Sequence, residues 1–251
     1  VPVFVQPNAA PEDPWFDGRY ICVYFLYRKE KQKGERTMNL NGKRAVITGG
    51  SRGIGAATAI ALAGKGADVA VVYHSNCEKA ERVVAAAKNH GVRAQAFGAD
   101  LRSWDEVQKL MEGVSQSLGG IDILVNSAGI NGSNTQLESI TVDEWKNVID
   151  SNLTSAFYCV KAAVGQLKKN KGKVVNLSSI AAKMGGKLGS HYAASKGGLS
   201  SMTFAMATEL APEVTVNAIA PGPVDTELIS DDVKQKLATL TPFGRIASPE
   251  E

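Results

Sequence analysis

The sequence predicts an α/β fold: one doubly wound parallel sheet carrying helices on both faces. Three observations lead there. From residue 39 onward, short Val- and Ile-rich runs alternate strictly with longer helix-forming stretches, the pattern of strands covered on both sides by crossover helices. The first apolar run ends in the glycine-dense TGGSRGIG at 48–55, directly before a helix-forming segment. Chemically distinctive groups then recur at the ends of successive runs, and open parallel sheets bind ligands outside the carboxyl ends of their strands.

The elements follow in order. KRAVITGG supplies the first strand and 56–65 the first helix. DVAVVY at 68–73 is the second strand, followed by a helix over 77–90. RAQAFGAD leads into a helix over 104–118, and IDILVNSAG into one long amphipathic helix over 142–169. KVVNLSS is the fifth strand, 192–210 a helix and VTVNAIAPG at 214–222 the sixth strand. Trp104 and Trp145 open helices and read as packing residues. Pro212 ends the helix before the last strand. No internal repeat interrupts residues 38–251, which read as one domain.

Residues 1–37 differ in character. Their first 18 residues hold four prolines and no apolar period, the signature of loop or disorder. ICVYFLY at 21–27 is a candidate short strand, and the charged RKEKQKGER follows it. This order is the reverse of a signal peptide. Met38 is a candidate natural start, with the upstream part an extension or a cloning relic.

Composition excludes several functions. A formal charge of +3 without a long basic stripe does not suit nucleic acid. No apolar run approaches the ~18 residues of a membrane helix. Cys22, Cys77 and Cys159 are scattered, and His74 and His90 isolated, so neither disulfide nor metal spacing is present. A reducing, cytoplasmic location follows most simply.

The 48–55 loop suits a dinucleotide. Its glycines permit a tight turn and close backbone approach to a pyrophosphate, while the helix N-terminus offers free N–H groups. Gly49, Ser51, Arg52, Gly53, Ile54 and Gly55 are the candidate contacts. The second strand ends in His74, Ser75 and Asn76, without the acid that reads the ribose hydroxyls of NAD. That absence, with Arg52 as a phosphate-shaped fork, favours NADP(H).

The stretch 176–196, NLSSIAAKMGGKLGSHYAASK, carries the chemistry. On a helix, Tyr192 and Lys196 share one face a turn apart. A cation beside a phenol is expected to pull its pKa down toward the working range. A strand-end hydroxyl from Ser178 or Ser179 could polarise a carbonyl. Taken alone, a Tyr–Lys pair at this spacing fits any exposed amphipathic helix equally well. His191 points off that face and reads as structural.

TGxxxGxG, NxAG, a serine thirteen positions before YxxxK and Pro-Gly after the sixth strand, all in order, resemble the classical short-chain dehydrogenase/reductase family, in style its 3-oxoacyl-carrier-protein reductase-like branch. The resemblance covers 40–251 and implies a Rossmann-type sheet. It implies Tyr192 as acid/base, Lys196 on its pKa and the nicotinamide ribose, Ser179 on the carbonyl, and Asn152 holding a relay water. It implies Asp100 at the adenine amino group with Leu101 beside it, and Asn126, Ala128 and Gly129 along the adenosine. Pro221 and Gly222 would back the nicotinamide, with Val224 and Thr226 touching it. A homodimer or homotetramer through the Asn152 and Tyr192 helices is implied too.

By the same analogy a further helix and edge strand are missing after residue 251, which points to a fragment of a longer product. The expected function is an NADP(H)-dependent interconversion of ketone and secondary alcohol, on a small-molecule substrate. The alternatives are a nucleotide-binding sensor or scaffold without turnover, or an NAD-linked sugar or steroid dehydrogenase. Substrate choice falls to the loops 130–141, 181–190 and 223–242.

Overall fold

The structure, a computed structural model, describes residues 38–251 apart from 134, 186 and 187. The expectations for residues 1–37, including the ICVYFLY strand, lie outside the described residues.

Six parallel strands form one sheet in the order β3-β2-β1-β4-β5-β6. They are β1 (Arg44–Thr48), β2 (Asp68–Tyr73), β3 (Ala94–Gly98), β4 (Ile123–Asn126), β5 (Lys173–Leu177) and β6 (Thr215–Ile219). The chain winds outward from β1 to β3, then returns to the other side of β1, where Thr48 pairs with Asn126. Such a reversal opens a crevice at the carboxyl ends of the two strands. The loops after β1 and β4 flank it.

Side chains alternate along the central strands. Ala45, Ile47, Val69 and Val71 pack with α1 (Gly53–Ala63) and α2 (Cys77–Lys88). Val46, Ala70 and Val72 pack with α3 (Trp104–Leu118) and with the buried residues of a later helix. Both faces are therefore dry, which is why β1 and β2 read as unbroken apolar runs. Helix ends obey local chemistry: Asn76 accepts from the Lys79 N–H at 2.9 Å, and Gly119, at φ 85°, closes α3.

The long helix expected over 142–169 is in fact interrupted. α4 (Val142–Ile149) passes into a π-helical turn, Asp150–Thr154, before α5 (Ser155–Lys169) resumes. The turn inserts an extra residue, held by tertiary contacts of Asn152 that periodicity alone does not reveal. Two further helices appear where loops were expected, α6 (Ala181–Met184) and α8 (Asp231–Leu240). α8 buries none of its residues, and it opens on two acids that suit a helix N-terminus. α7 (Ser190–Glu209) carries the Tyr–Lys pair.

Trp104 packs edge-on against Tyr158 at 5.5 Å, as a packing residue should, whereas Trp145 is 40% exposed and does not. β6 is an edge of the described sheet. Beyond it Val224 pairs with Ala247, so the segment after the helix folds back on the one before it. No helix among the described residues is long and apolar enough to cross a membrane.

Candidate active site

The loop after β1 is shaped by what its glycines permit. Gly49 and Gly53 take positive φ, 62° and 52°, which other residues resist. A methyl on Gly49 would stand 2.8 Å from Ala128 Cα, and one on Gly55 would collide with the Gly49 carbonyl. Thr48 draws the loop after β4 into the same corner, its Oγ1 accepting from the N–H groups of Ser127 and Ala128 at 3.1 Å each. α1 then starts with no acid in its first turn and no side chain on its cap. Its free N–H groups and positive dipole end face an open cavity of about 560 Å³.

That cavity collects most of the residues expected at a cofactor. The loop after β1 supplies Gly49 and Ser51 through Gly55, the end of β2 supplies His74, Ser75 and Asn76, and the end of β3 supplies Asp100 and Leu101. Ala128, Gly129 and Thr226 complete it from two further strand ends. The Asp100 carboxylate is already engaged, since Arg102 Nη2 and Nε donate to it at 2.7 and 2.9 Å. Those bonds hold the Asp100 carboxyl down at about 2. Asn76 spends its carbonyl capping α2.

Six expected cofactor residues lie outside this lining, Tyr192 and Lys196 among them. Asn126 is buried and donates to Asn176 Oδ1 at 2.9 Å, and Asn176 donates on to Thr203 Oγ1, also at 2.9 Å. The network ties β4 and β5 to α7, so Asn126 serves here as a strut. The Pro221 carbonyl accepts from Ile180 N–H, Val224 is taken up by the pairing with Ala247, and Gly222 has open space where a side chain would stand.

Asn152 and Lys196 sit behind the cavity wall, and Gly129 is the thin point between. A methyl there would stand 3.0 Å from Asn152 Oδ1 and 3.5 Å from Lys196 Nζ. Lys196 is 5% exposed, donates to the Leu177 carbonyl at 2.7 Å and lies over the Tyr192 ring, 5.8 Å from its centre. Burial lowers the Lys196 ammonium to about 8. Burial raises the Tyr192 phenol above its ordinary value, and a hydrogen bond with Ser179 opposes the shift. The expected downward pull by Lys196 is therefore not what governs the phenol. The ammonium lies over the ring, and one of its protons is committed to β5.

Asn152 lies within the π-helical turn. Its Oδ1 accepts from Ile130 N–H at 2.7 Å, while Nδ2 donates to the Ile130 carbonyl at 2.9 Å and to Ser195 Oγ at 3.0 Å. Both Nδ2 protons are thus spent on backbone and α7, while Oδ1 keeps a second lone pair. Ser178 holds α7 directly, donating to the Lys196 carbonyl at 3.0 Å. His191 is wholly buried. Its Nδ1 accepts from Tyr192 N–H, and Nε2 lies 3.7 Å from Glu144 Oε1.

Residue-by-residue reading missed Ser195 and Arg102, and with them Lys79 and Glu227 on the cavity rim. Ser195, three residues after Tyr192, had a local signal in that spacing. Lys79 and Glu227 had none, being 148 positions apart.

Known proteins match this chain across the whole of the described sheet. The family model of the short chain dehydrogenases matches residues 43–237. A 3-oxoacyl-(acyl-carrier-protein) reductase FabG of Staphylococcus aureus is 40% identical over 208 residues, 81% of this chain and 84% of the relative. Glucose 1-dehydrogenase 2 of Bacillus subtilis is 34% identical over 85% of each. A short chain dehydrogenase of Burkholderia cenocepacia, solved in complex with NADP, superposes with a TM-score of 0.79 at 36% identity, covering 84% of this chain and 87% of that one. With the parallel sheet, the glycine loop and these matches together, the chain belongs to the short-chain dehydrogenase family of oxidoreductases.

Proposed function

We propose that this chain interconverts a ketone and a secondary alcohol using NADP(H). The observation that carries the reading is the buried Tyr192–Lys196 pair: Lys196 lies over the Tyr192 ring and behind Gly129, and Ser179 is close enough to the phenol to oppose its upward shift. The cavity in front fits a dinucleotide, because only glycine tolerates the Gly49–Gly55 contact and α1 leaves its N–H groups free. The loop after β1 would hold the pyrophosphate, and Arg52 with Ser75 a 2′-phosphate.

When bound, the nicotinamide supplies a hydride to the carbonyl carbon. The protein does the proton chemistry. Tyr192, kept neutral by burial, gives its phenolic proton to the carbonyl oxygen as charge develops there. Ser179 donates a hydrogen bond to the same oxygen. The Lys196 ammonium stabilises the phenolate left behind until a proton returns from solvent. Asn152 and Ser178 are positioning residues, which fix the loop at Ile130 and the backbone of Lys196.

Absorbance assays of NADPH and NADH consumption against a panel of ketones, comparing wild type with Tyr192→Phe, test this reading. The variant is expected to lose about 10²–10⁴-fold in turnover. Equal turnover by both proteins rules out the catalytic assignment, and faster use of NADH rules out the cofactor. The likeness to glucose 1-dehydrogenase 2 favours sugars as the second substrate class, so aldoses belong in the panel. Binding of NADPH without turnover by either protein would favour a sensor. We further propose self-association through α5 and α7, where Phe157 and Phe204 stay 40% and 46% exposed. A reducing compartment such as the cytoplasm suits the free thiols of Cys77 and Cys159.

A further inference from the structure

The cavity rim carries a charge cluster of which the mechanism above uses only Arg52. Arg52 enters it from the loop after β1, Lys79 from the first turn of α2, and Glu227 from the segment after β6. Glu227 accepts from Lys79 Nζ at 2.7 and 2.6 Å and lies 3.6 Å from Arg52 Nη1. Its neighbours fasten the same segment. Thr226 lies against Gly53, where an added methyl would stand 3.1 Å from its Cγ2. The Leu228 carbonyl accepts from Asn131 Nδ2 at 2.9 Å. Three consecutive residues thus strap the cavity mouth, from the loop after β4 across to α2. Lys79 also stands one turn from Asn76, beside the strand end that reads an adenosine ribose.

We propose that Lys79 joins Arg52 as a subsite for the 2′-phosphate of NADP(H), and that Glu227 is the built-in competitor holding the strap shut until phosphate takes its cations. This rests on the NADP(H) reading above. Two cations facing one carboxylate leave a positive excess, which a phosphate dianion matches better and with more acceptor oxygens. The exchange is easy because exposed ion pairs are weak, and these side chains are 38% to 54% exposed. A dinucleotide lacking the 2′-phosphate leaves the Glu227 ion pairs in place and makes no use of Lys79 and Arg52, so the two cations discriminate between cofactors while Glu227 competes with the phosphate alone.

Fluorescence titrations of wild type, Lys79→Ala and Glu227→Gln with NADPH, NADH and adenosine 2′,5′-bisphosphate test the proposal. Lys79→Ala is expected to weaken NADPH and the bisphosphate about tenfold, with NADH changed less than about twofold. Glu227→Gln is expected to tighten NADPH and the bisphosphate by about two- to fivefold and to leave NADH as it was. Equal loosening of both dinucleotides by Lys79→Ala overturns the subsite, and weaker NADPH binding by Glu227→Gln overturns the competitor. Wild type preferring NADH overturns the cofactor reading itself. An intact NADPH preference that Lys79→Ala fails to move overturns this inference alone.

Discussion

Lys196 holds its charge in an unfavourable place. Its only hydrogen-bond acceptor among the described residues is the Leu177 carbonyl, and no carboxylate there pairs with it. Burial brings its pKa to about 8 from an unfolded value near 10.5. The sign follows from proton counts. Below pH 8 both states carry the proton, and the folded state bears the full desolvation cost. Between about 8 and 10.5 the unfolded state keeps a proton that the folded state has released, so stability rises with pH. Above that window the cost is gone. Replacing Lys196 with Met removes this titration and leaves Tyr192 in place. Urea melts of wild type and Lys196→Met should therefore converge in the wild type's favour by roughly 3 kcal/mol between pH 7 and pH 10.5. A gap that does not move with pH would show that Lys196 is well solvated. The identity of this pair was legible in the spacing of Tyr192 and Lys196. The environment was not, because whether an ammonium meets the phenol's oxygen or its ring depends on how α7 lies against β5. The same tertiary placement committed the Asn152 side chain to Ile130.

At the scale of elements, the loop after β1 and the π-helical turn show two kinds of legibility. TGGSRGIG could be read because each glycine answers a local constraint. A methyl at Gly55 meets the Gly49 carbonyl, which is backbone and cannot rotate away. Gly55→Ala is thus expected to force the loop and the first turn of α1 apart. It should destabilise the fold by about 1–3 kcal/mol and abolish NADPH binding, while a control such as Gly165→Ala, whose methyl meets nothing, should leave binding unchanged. Thermal melts with and without NADPH check both. Unaltered affinity in Gly55→Ala would mean that the dinucleotide does not use this loop. The π-helical turn left no such trace. Its residues Asp150–Thr154 are mostly polar, and their bulge is stabilised by contacts that Asn152 makes with the loop after β4 and with α7. α8 was missed for a different reason: its apolar stripe is short, with Val233 and Leu237 one turn apart and only half-buried.

The whole molecule divides its sheet by end. The carboxyl ends of the strands carry the cavity, the strap and the Tyr192–Lys196 pair, while the amino ends carry ion pairs remote from any of them. The chief of these joins β1 to the entry of β4. Arg44 Nε donates to Asp122 Oδ2 at 2.6 Å, its backbone N–H to the same oxygen at 2.9 Å, and Nη1 to the Gly119 carbonyl. Burial works to raise the Asp122 carboxyl, but the Arg44 bonds outweigh it and hold the carboxyl below its ordinary range. With the folded value depressed, this pair stabilises fully above the unfolded pKa near ~4 and loses its contribution as pH falls through the folded one. Asp122→Asn leaves a mostly buried guanidinium without its counter-charge, and should cost on the order of 2 kcal/mol at pH 7. That corresponds to a fall in Tm of about 4–8 °C. The difference from wild type should shrink as melts are taken toward pH 3. NADPH affinity should not change, since the substitution sits at the opposite end of β1 from the cavity. Loss of affinity in proportion to stability would mean that the two ends are coupled through β1, and the division of labour along the sheet would have to be abandoned.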